Sequence, residues 1–136
     1  MRGQKGFTLL ELLVVMVIIG LLVSYVAPRY FAQLGKSEVK TAKAQIDAFQ
    51  TALNIYRLDM GHYPSQKLGL QALMTPPEKG AAHWKGPYLV KGIPLDPWGQ
   101  PYQYRIPGEN GEYDLFSYGK DQKPGGTGDG ADIYNK

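Results

Sequence analysis

The chain of 136 residues has no cysteine, which excludes a disulfide framework and any thiolate metal site. With two histidines, Ser/His catalysis and metal–histidine chemistry have little material to work with. Proline and glycine are scarce at the start: of ten Pro and 17 Gly, only Pro28, Gly3, Gly6, Gly20 and Gly35 precede residue 60. Composition thus divides the chain into a helix-friendly first part and a turn-rich second part. Excess positive charge is scarce too. The formal net charge is +3, and Arg2 and Lys5 supply two of it, leaving 3 − 2 = +1 from Phe7 onward. No clustered basic face supports a nucleic-acid partner. The length suits one modest domain, and no internal repeat is visible.

What the chain does have is a long apolar run. Residues 7–27 are interrupted only by Thr8, Glu11, Gly20, Ser24 and Tyr25. These 21 residues match the roughly 20 that cross a bilayer as a helix. Arg2 and Lys5 precede the run, so its C-terminal side is expected across the membrane, which in a bacterium is the periplasm. A secretory signal has a shorter apolar core and a small-residue cleavage site. Val26-Ala-Pro-Arg29 is a poor site of that kind. A plain uncleaved anchor explains neither Gly6 before Phe7 nor Glu11, a carboxylate that is costly in lipid.

Lys5-Gly6-Phe7-Thr8-Leu9-Leu10-Glu11 resembles the class III signal of type IV pilins and type II secretion pseudopilins. The resemblance implies that a prepilin peptidase cuts between Gly6 and Phe7 and that the new Phe7 amino group is N-methylated. Glu11 then becomes the fifth mature residue and Pro28 the twenty-second, both in the family pattern. A charged amino group on one subunit can neutralise Glu11 of a neighbour, and such a pair specifies register. The alternative is a Glu11 that snorkels to the headgroups.

Residues 28–60 read as an amphipathic stalk. Val39, Ala42, Ile46, Phe49, Leu53 and Tyr56 recur at spacings of 3, 4, 3, 4 and 3, one apolar stripe on a helix. Lys36, Glu38, Lys40, Lys43 and Asp47 fall mainly off it. The stripe suits packing on the chain's own sheet; a partner-binding groove is the alternative. A single helix over Phe7–Leu58 spans about 78 Å. Gly20 and Pro28 weaken it and predict either local bending and melting or a static kink. Gly61 and Pro64 end it near Met60.

Residues 61–136 read as a globular head. Leu68–Met74 predicts a short helix and Tyr88–Val90 a short strand. Tyr102–Ile106 and Tyr113–Tyr118, around the turn cluster Pro107–Gly111, predict an antiparallel hairpin. The fold class is α+β: a long N-terminal helix packed on a small antiparallel sheet, with a C-terminal Gly/Asp-rich loop. Asp96-Pro-Trp-Gly-Gln-Pro-Tyr102 is an aromatic shelf or a rigid turn with Trp98 plugging the core edge. The same motif, with Gly69-Leu-Gln-Ala-Leu73 and the Gly61–Pro64 stretch, resembles the major-pseudopilin subfamily of type II secretion.

The segment from Gly119 to Ile133 carries Asp121, Asp129 and Asp132 among five glycines. Flexible backbone lets carbonyls turn inward beside carboxylates, a donor set that suits Ca²⁺. The spacing is not that of an EF-hand, and a solvated Gly/Asp turn is the alternative. The resemblance implies one Ca²⁺ here, with Asp121 and Asp132 in the acidic positions and Asp129 a third ligand. Backbone carbonyls near Tyr118 and Lys123 would complete the shell, and which of Asp129 and Asp132 lies closer stays open.

The function implied is structural: a subunit of a periplasmic pseudopilus, polymerising through the 7–35 helix to drive export of folded proteins. Implied partners are further copies of itself, minor pseudopilins, an inner-membrane assembly platform, the prepilin peptidase and, before assembly, membrane lipid. The implied place is the inner membrane and periplasm of a Gram-negative bacterium. Competing readings are a type IV pilin, which usually carries a C-terminal disulfide loop, a minor tip pseudopilin, and a membrane-anchored enzyme or binding module.

Overall fold

Helix α1 runs from Leu9 to Met60, 52 residues, in a computed structural model that describes residues 6–135 apart from the Asp129 side chain. Arg2 and Lys5 of the leader lie outside the described residues. The helix starts two residues after Phe7 and ends at Met60, where Gly61 and Pro64 predict its end. Its start is set by Thr8, whose Oγ1 accepts the Glu11 N–H at 3.1 Å while Glu11 Oε2 accepts the Thr8 N–H at 3.4 Å. This is a reciprocal capping box, so Phe7 stays outside the helix. Its end is set by Gly61, which takes φ +86° and donates to the Arg57 carbonyl at 2.7 Å. A left-handed residue there closes the last turn. The helix is assigned without interruption through Gly20 and Pro28.

The chain divides into two compact units, one ending at Gly35 and one beginning at Lys36. In the first, every described side chain from Phe7 to Leu34 is exposed except half-buried Ala27. Helix α1 is long and apolar enough to cross a membrane, and none of its most apolar stretch is buried.

In the second unit the predicted stripe is core. Ala42, Ile46, Phe49, Leu53 and Tyr56 are buried, with Val39 packed at the margin. They cluster with Leu70, Leu73, Tyr102, Tyr104, Tyr113, Leu115 and Ile133. Phe49 meets Tyr102 edge to face at 5.2 Å.

The sheet has three strands in the order β1 (Gln103–Arg105), β2 (Asp114–Ser117), β3 (Ile133–Tyr134), all antiparallel. The hairpin is as predicted, with Tyr104 opposite Leu115. Three details differ. The residue types of Tyr113–Tyr118 alternate and predict one face in the core and one in solvent, yet Asp114 to Ser117 are all buried. The cause is the central position of β2 and a lid on its outer face. There Arg105 bonds Asp114 at 2.9 Å and lies over the Phe116 ring, on which Tyr134 stacks. Burial pushes the Asp114 carboxyl up, but N–H groups of Glu109 and Asn110 and the Arg105 guanidinium together hold it below its usual value. Tyr88–Val90 is not a strand. The Tyr88 N–H goes to the Leu73 carbonyl, its hydroxyl bonds Asp59, and Val90 is fully exposed. Side-chain anchoring replaces ladder bonds after Pro87. Strand β3 was not foreseen. The short helix is a 3₁₀ segment, Gly69–Leu73, burying Leu70, Ala72 and Leu73.

Amide side chains finish the sheet. Gln66 donates to the Tyr104 carbonyl at 2.9 Å and accepts the Ile106 N–H at 2.8 Å along the outer edge of β1. Beyond β3, Asn135 Oδ1 accepts the Leu115 N–H, and Gln50 donates to the Asn135 carbonyl.

Candidate functional site

Gly6 and Phe7 precede the helix in irregular, exposed backbone, with the Phe7 side chain 81% accessible. The peptide bond between them is therefore open to a protease. Glu11 sits in the first helical turn beside a shallow apolar recess shared with Phe7, Leu10, Val14 and Val15. Its carboxylate faces the unpaired N–H groups and positive dipole end of α1. The spacing Thr8-x-x-Glu11 is itself the sequence signature of this capping role. Pro28 lies inside the helix, and Leu22, Val23, Val26, Ala27, Tyr30 and Phe31 form an apolar groove along that stretch. These faces have no cover within the unit and can bury apolar area only in lipid or against another chain.

The C-terminal loop brings two of the three predicted acids to one stretch of backbone. Asp121 Oδ1 accepts the Lys123 N–H at 3.1 Å, and Asp132 Oδ2 accepts the Gly125 N–H at 3.0 Å. Asp132 Oδ1 is buried with no hydrogen-bond partner. The backbone folds tightly here: a Cβ on Gly126 would stand 2.4 Å from the Gly130 carbonyl and 2.6 Å from Asp121 Oδ2. Gly126 also takes φ +95°, so both space and conformation require glycine. The Asp129 backbone belongs to a 3₁₀ turn at Gly128–Gly130, and its side chain lies outside what the structure describes. Among the described residues no three His, Cys, Asp or Glu side chains converge as a metal cluster. Tyr118 precedes Asp121 by three residues and Lys123 follows it by two.

The loop is tied to the rest of the unit through the Asp96–Tyr102 turn. Buried Asp96 accepts the N–H groups of Trp98 and Gln100 on one oxygen and the Ser117 hydroxyl on the other. Trp98 donates its indole N–H to Glu38 on α1 at 2.7 Å. The rigid-turn reading of this motif therefore holds. Gln122, at φ +58°, donates from its amide to the Trp98 carbonyl.

Residues 29–136 match the family model described as Type II secretion system (T2SS), protein G. Residues 1–27 match the prokaryotic N-terminal methylation motif. The type II secretion system core protein G of Pseudomonas aeruginosa is 43% identical over 136 residues, covering 98% of this chain and 96% of its own. That of Vibrio cholerae is 44% identical over 137 residues, covering 99% and 93%. The crystal structure of the major pseudopilin from the type 2 secretion system of enterohaemorrhagic Escherichia coli superposes with a TM-score of 0.65 at 32% identity, over 77% of this chain and 91% of that one.

Proposed function

Because the chain belongs to the type II secretion system protein G family, the major pseudopilins, we propose that it is held in the inner membrane, cut between Gly6 and Phe7, N-methylated at Phe7 and polymerised through residues 7–35 into a periplasmic filament. The protein is a structural subunit, and family membership sets aside the type IV pilin and minor-pseudopilin alternatives. The observation that carries the assembly reading is the uncovered apolar segment of α1 with one carboxylate at its start. In lipid, and later among neighbouring helices, that carboxylate needs a cation. The Phe7 amino group released by cleavage supplies one from an adjacent subunit. Minor pseudopilins, an inner-membrane platform and the prepilin peptidase are the partners of this scheme, which uses no catalytic residue of the chain itself.

Glu11→Gln separates the two roles of Glu11. Glutamine keeps the capping-box geometry but removes the charge. In the producing cell the variant should still be cleaved at Gly6, while filaments and secretion fail. Normal filaments from it would reduce Glu11 to a helix cap.

We also infer that the loop of the second unit holds one Ca²⁺, with Asp121 and Asp132 as carboxylate ligands, Asp129 a third and the Tyr118 and Lys123 carbonyls as neutral ones. The unpartnered Asp132 Oδ1 supports this, because a buried bare carboxylate oxygen is costly without a counter-charge. The ion supplies charge neutralisation. The residues hold the Gly-rich backbone against β3, which begins at Ile133.

A further inference from the structure

Apart from the assembly segment and the metal loop, the second unit carries a side chain poised to react with its own backbone. The chain has three asparagines, Asn54, Asn110 and Asn135. The fold restrains the first and the last. Asn54 stands inside α1, where the helix ladder fixes the following N–H, and its Oδ1 accepts the Tyr63 hydroxyl at 2.9 Å. Asn135 accepts the Leu115 N–H on Oδ1 and turns its amide toward the Tyr113 carbonyl. Asn110 has no such restraint. It is exposed, and its side chain forms no hydrogen bond among the described residues. Gly111 follows it in irregular, exposed backbone between β1 and β2, and the Gly111 N–H has no acceptor among the described residues. The turn is closed at its base, where the Gly108 N–H donates to the Glu112 carbonyl at 3.1 Å. The Asn110–Gly111 pair is left at the tip, the part of a loop most open to chemical change. A recess of about 330 Å³ with both residues in its wall leaves room for water beside them. Glycine, with no Cβ, lets its backbone nitrogen approach the preceding side chain closely.

We propose that Asn110 is a site of spontaneous deamidation, in which the chain converts its own amide to a carboxylate. The Gly111 nitrogen bonds to Asn110 Cγ. The bond from Cγ to the amide nitrogen breaks, and ammonia leaves with the proton of the Gly111 N–H. The product is a cyclic imide. Water then opens the ring at either carbonyl: one opening gives aspartate, and the other routes the main chain through the side chain as isoaspartate. Water is the one reactant added and ammonia the one lost. The surroundings make the change felt. The N–H groups of Glu109 and Asn110 both serve the buried Asp114 carboxylate, which Arg105 meets at 2.9 Å. Glu109 and Glu112 already engage Arg105 at 3.7 Å and Arg57 at 3.2 Å. A new carboxylate at position 110 finds both cations taken. Isoaspartate also adds a main-chain carbon inside the turn that Gly108 and Glu112 close. Deamidation thus loosens the hairpin and marks old molecules from new, whether or not they have assembled.

The test incubates the full chain in detergent micelles at body temperature in mildly alkaline buffer, with samples digested and mapped by mass spectrometry over several weeks. The peptide holding Asn110 should gain the mass of an amide-to-acid exchange and split into aspartate and isoaspartate forms, the latter identified by labelling with an isoaspartyl methyltransferase. Peptides holding Asn54 and Asn135 should stay unchanged. Gly111→Ala should slow the conversion severalfold. Gly111 lies outside the left-handed region, and a Cβ there meets nothing closer than the Tyr113 carbonyl at 3.9 Å, so this variant should fold as the parent does. Aged protein should melt below fresh protein. The proposal falls if the Asn110 peptide stays intact, if Asn54 or Asn135 converts as fast, or if Gly111→Ala converts at the parent's rate. Aged and fresh protein that melt together would overturn the loosening of the hairpin.

Discussion

Asp132 is held by one oxygen and bare at the other, and that asymmetry makes it the most testable residue of the loop. If a cation completes the site, its ligands stabilise the fold only when the cation is present. Ca²⁺ at 100 times its dissociation constant adds about 2.7 kcal/mol, a rise in Tm on the order of 10 °C for a unit of this size. Asp121→Ala should remove that rise and leave the melting temperature in chelator unchanged. Coincident melting curves for parent and variant in Ca²⁺ would show that the loop needs no ion. Gly126→Ala should lower stability in both media, since its Cβ meets the Gly130 carbonyl whatever the metal content. At this scale the sequence displayed the donor types, Asp121 and Asp132 among glycines. It could not display the bare Oδ1, because burial of one oxygen depends on how residues 125–132 fold back. The Thr8–Glu11 box was fully local and could have been read from its spacing.

Helix α1 makes the clearest case at the element scale. Leu53 and Ile55 are two residues apart and chemically alike, yet Leu53 is fully buried and Ile55 is 44% exposed. Leu53→Ala should cost about 2–5 kcal/mol through lost contacts and a cavity, whereas Ile55→Ala should stay within about 0.5 kcal/mol. Denaturant melts of the two variants decide whether the stripe is core, and equal losses would refute the packing. The stripe was legible because a helix repeats every 3.6 residues over many turns, so that six positions agreed. The hairpin was legible from two aromatic runs around a turn cluster. Strand β3 was not, since two residues after a Gly-rich loop carry no period. Tyr88–Val90 misled for the opposite reason: strand-forming residues, but with the Tyr88 N–H bonded to Leu73 and its ring turned against Tyr56 and Trp84.

At the scale of the folded molecule, stability of the second unit is tied to alkaline pH through its tyrosines. Burial pushes the hydroxyls of Tyr56, Tyr102 and Tyr104 up, and that of Tyr113 to about 12. An unfolded tyrosine ionises near 10. A folded pKa above the unfolded one means that the native state holds its protons longer. The full contribution is therefore present below about pH 10 and is lost as pH rises through about 12. Melting temperature followed from pH 8 to 12 should hold level and then fall steeply; a flat profile to pH 12 would contradict the burial of these hydroxyls. The general architecture, one long helix and a small antiparallel sheet, followed from composition and period, while the closure of the β1 edge did not. That closure bears on crowding. Wherever such heads crowd together, an open strand edge is a place to stick irreversibly. On β1 the Gln66 amide already occupies the donor and the acceptor that a neighbour's strand would take. On the assembly reading proposed above, crowded monomers would meet at a β1 edge that is already taken, and the helix would be the part that joins.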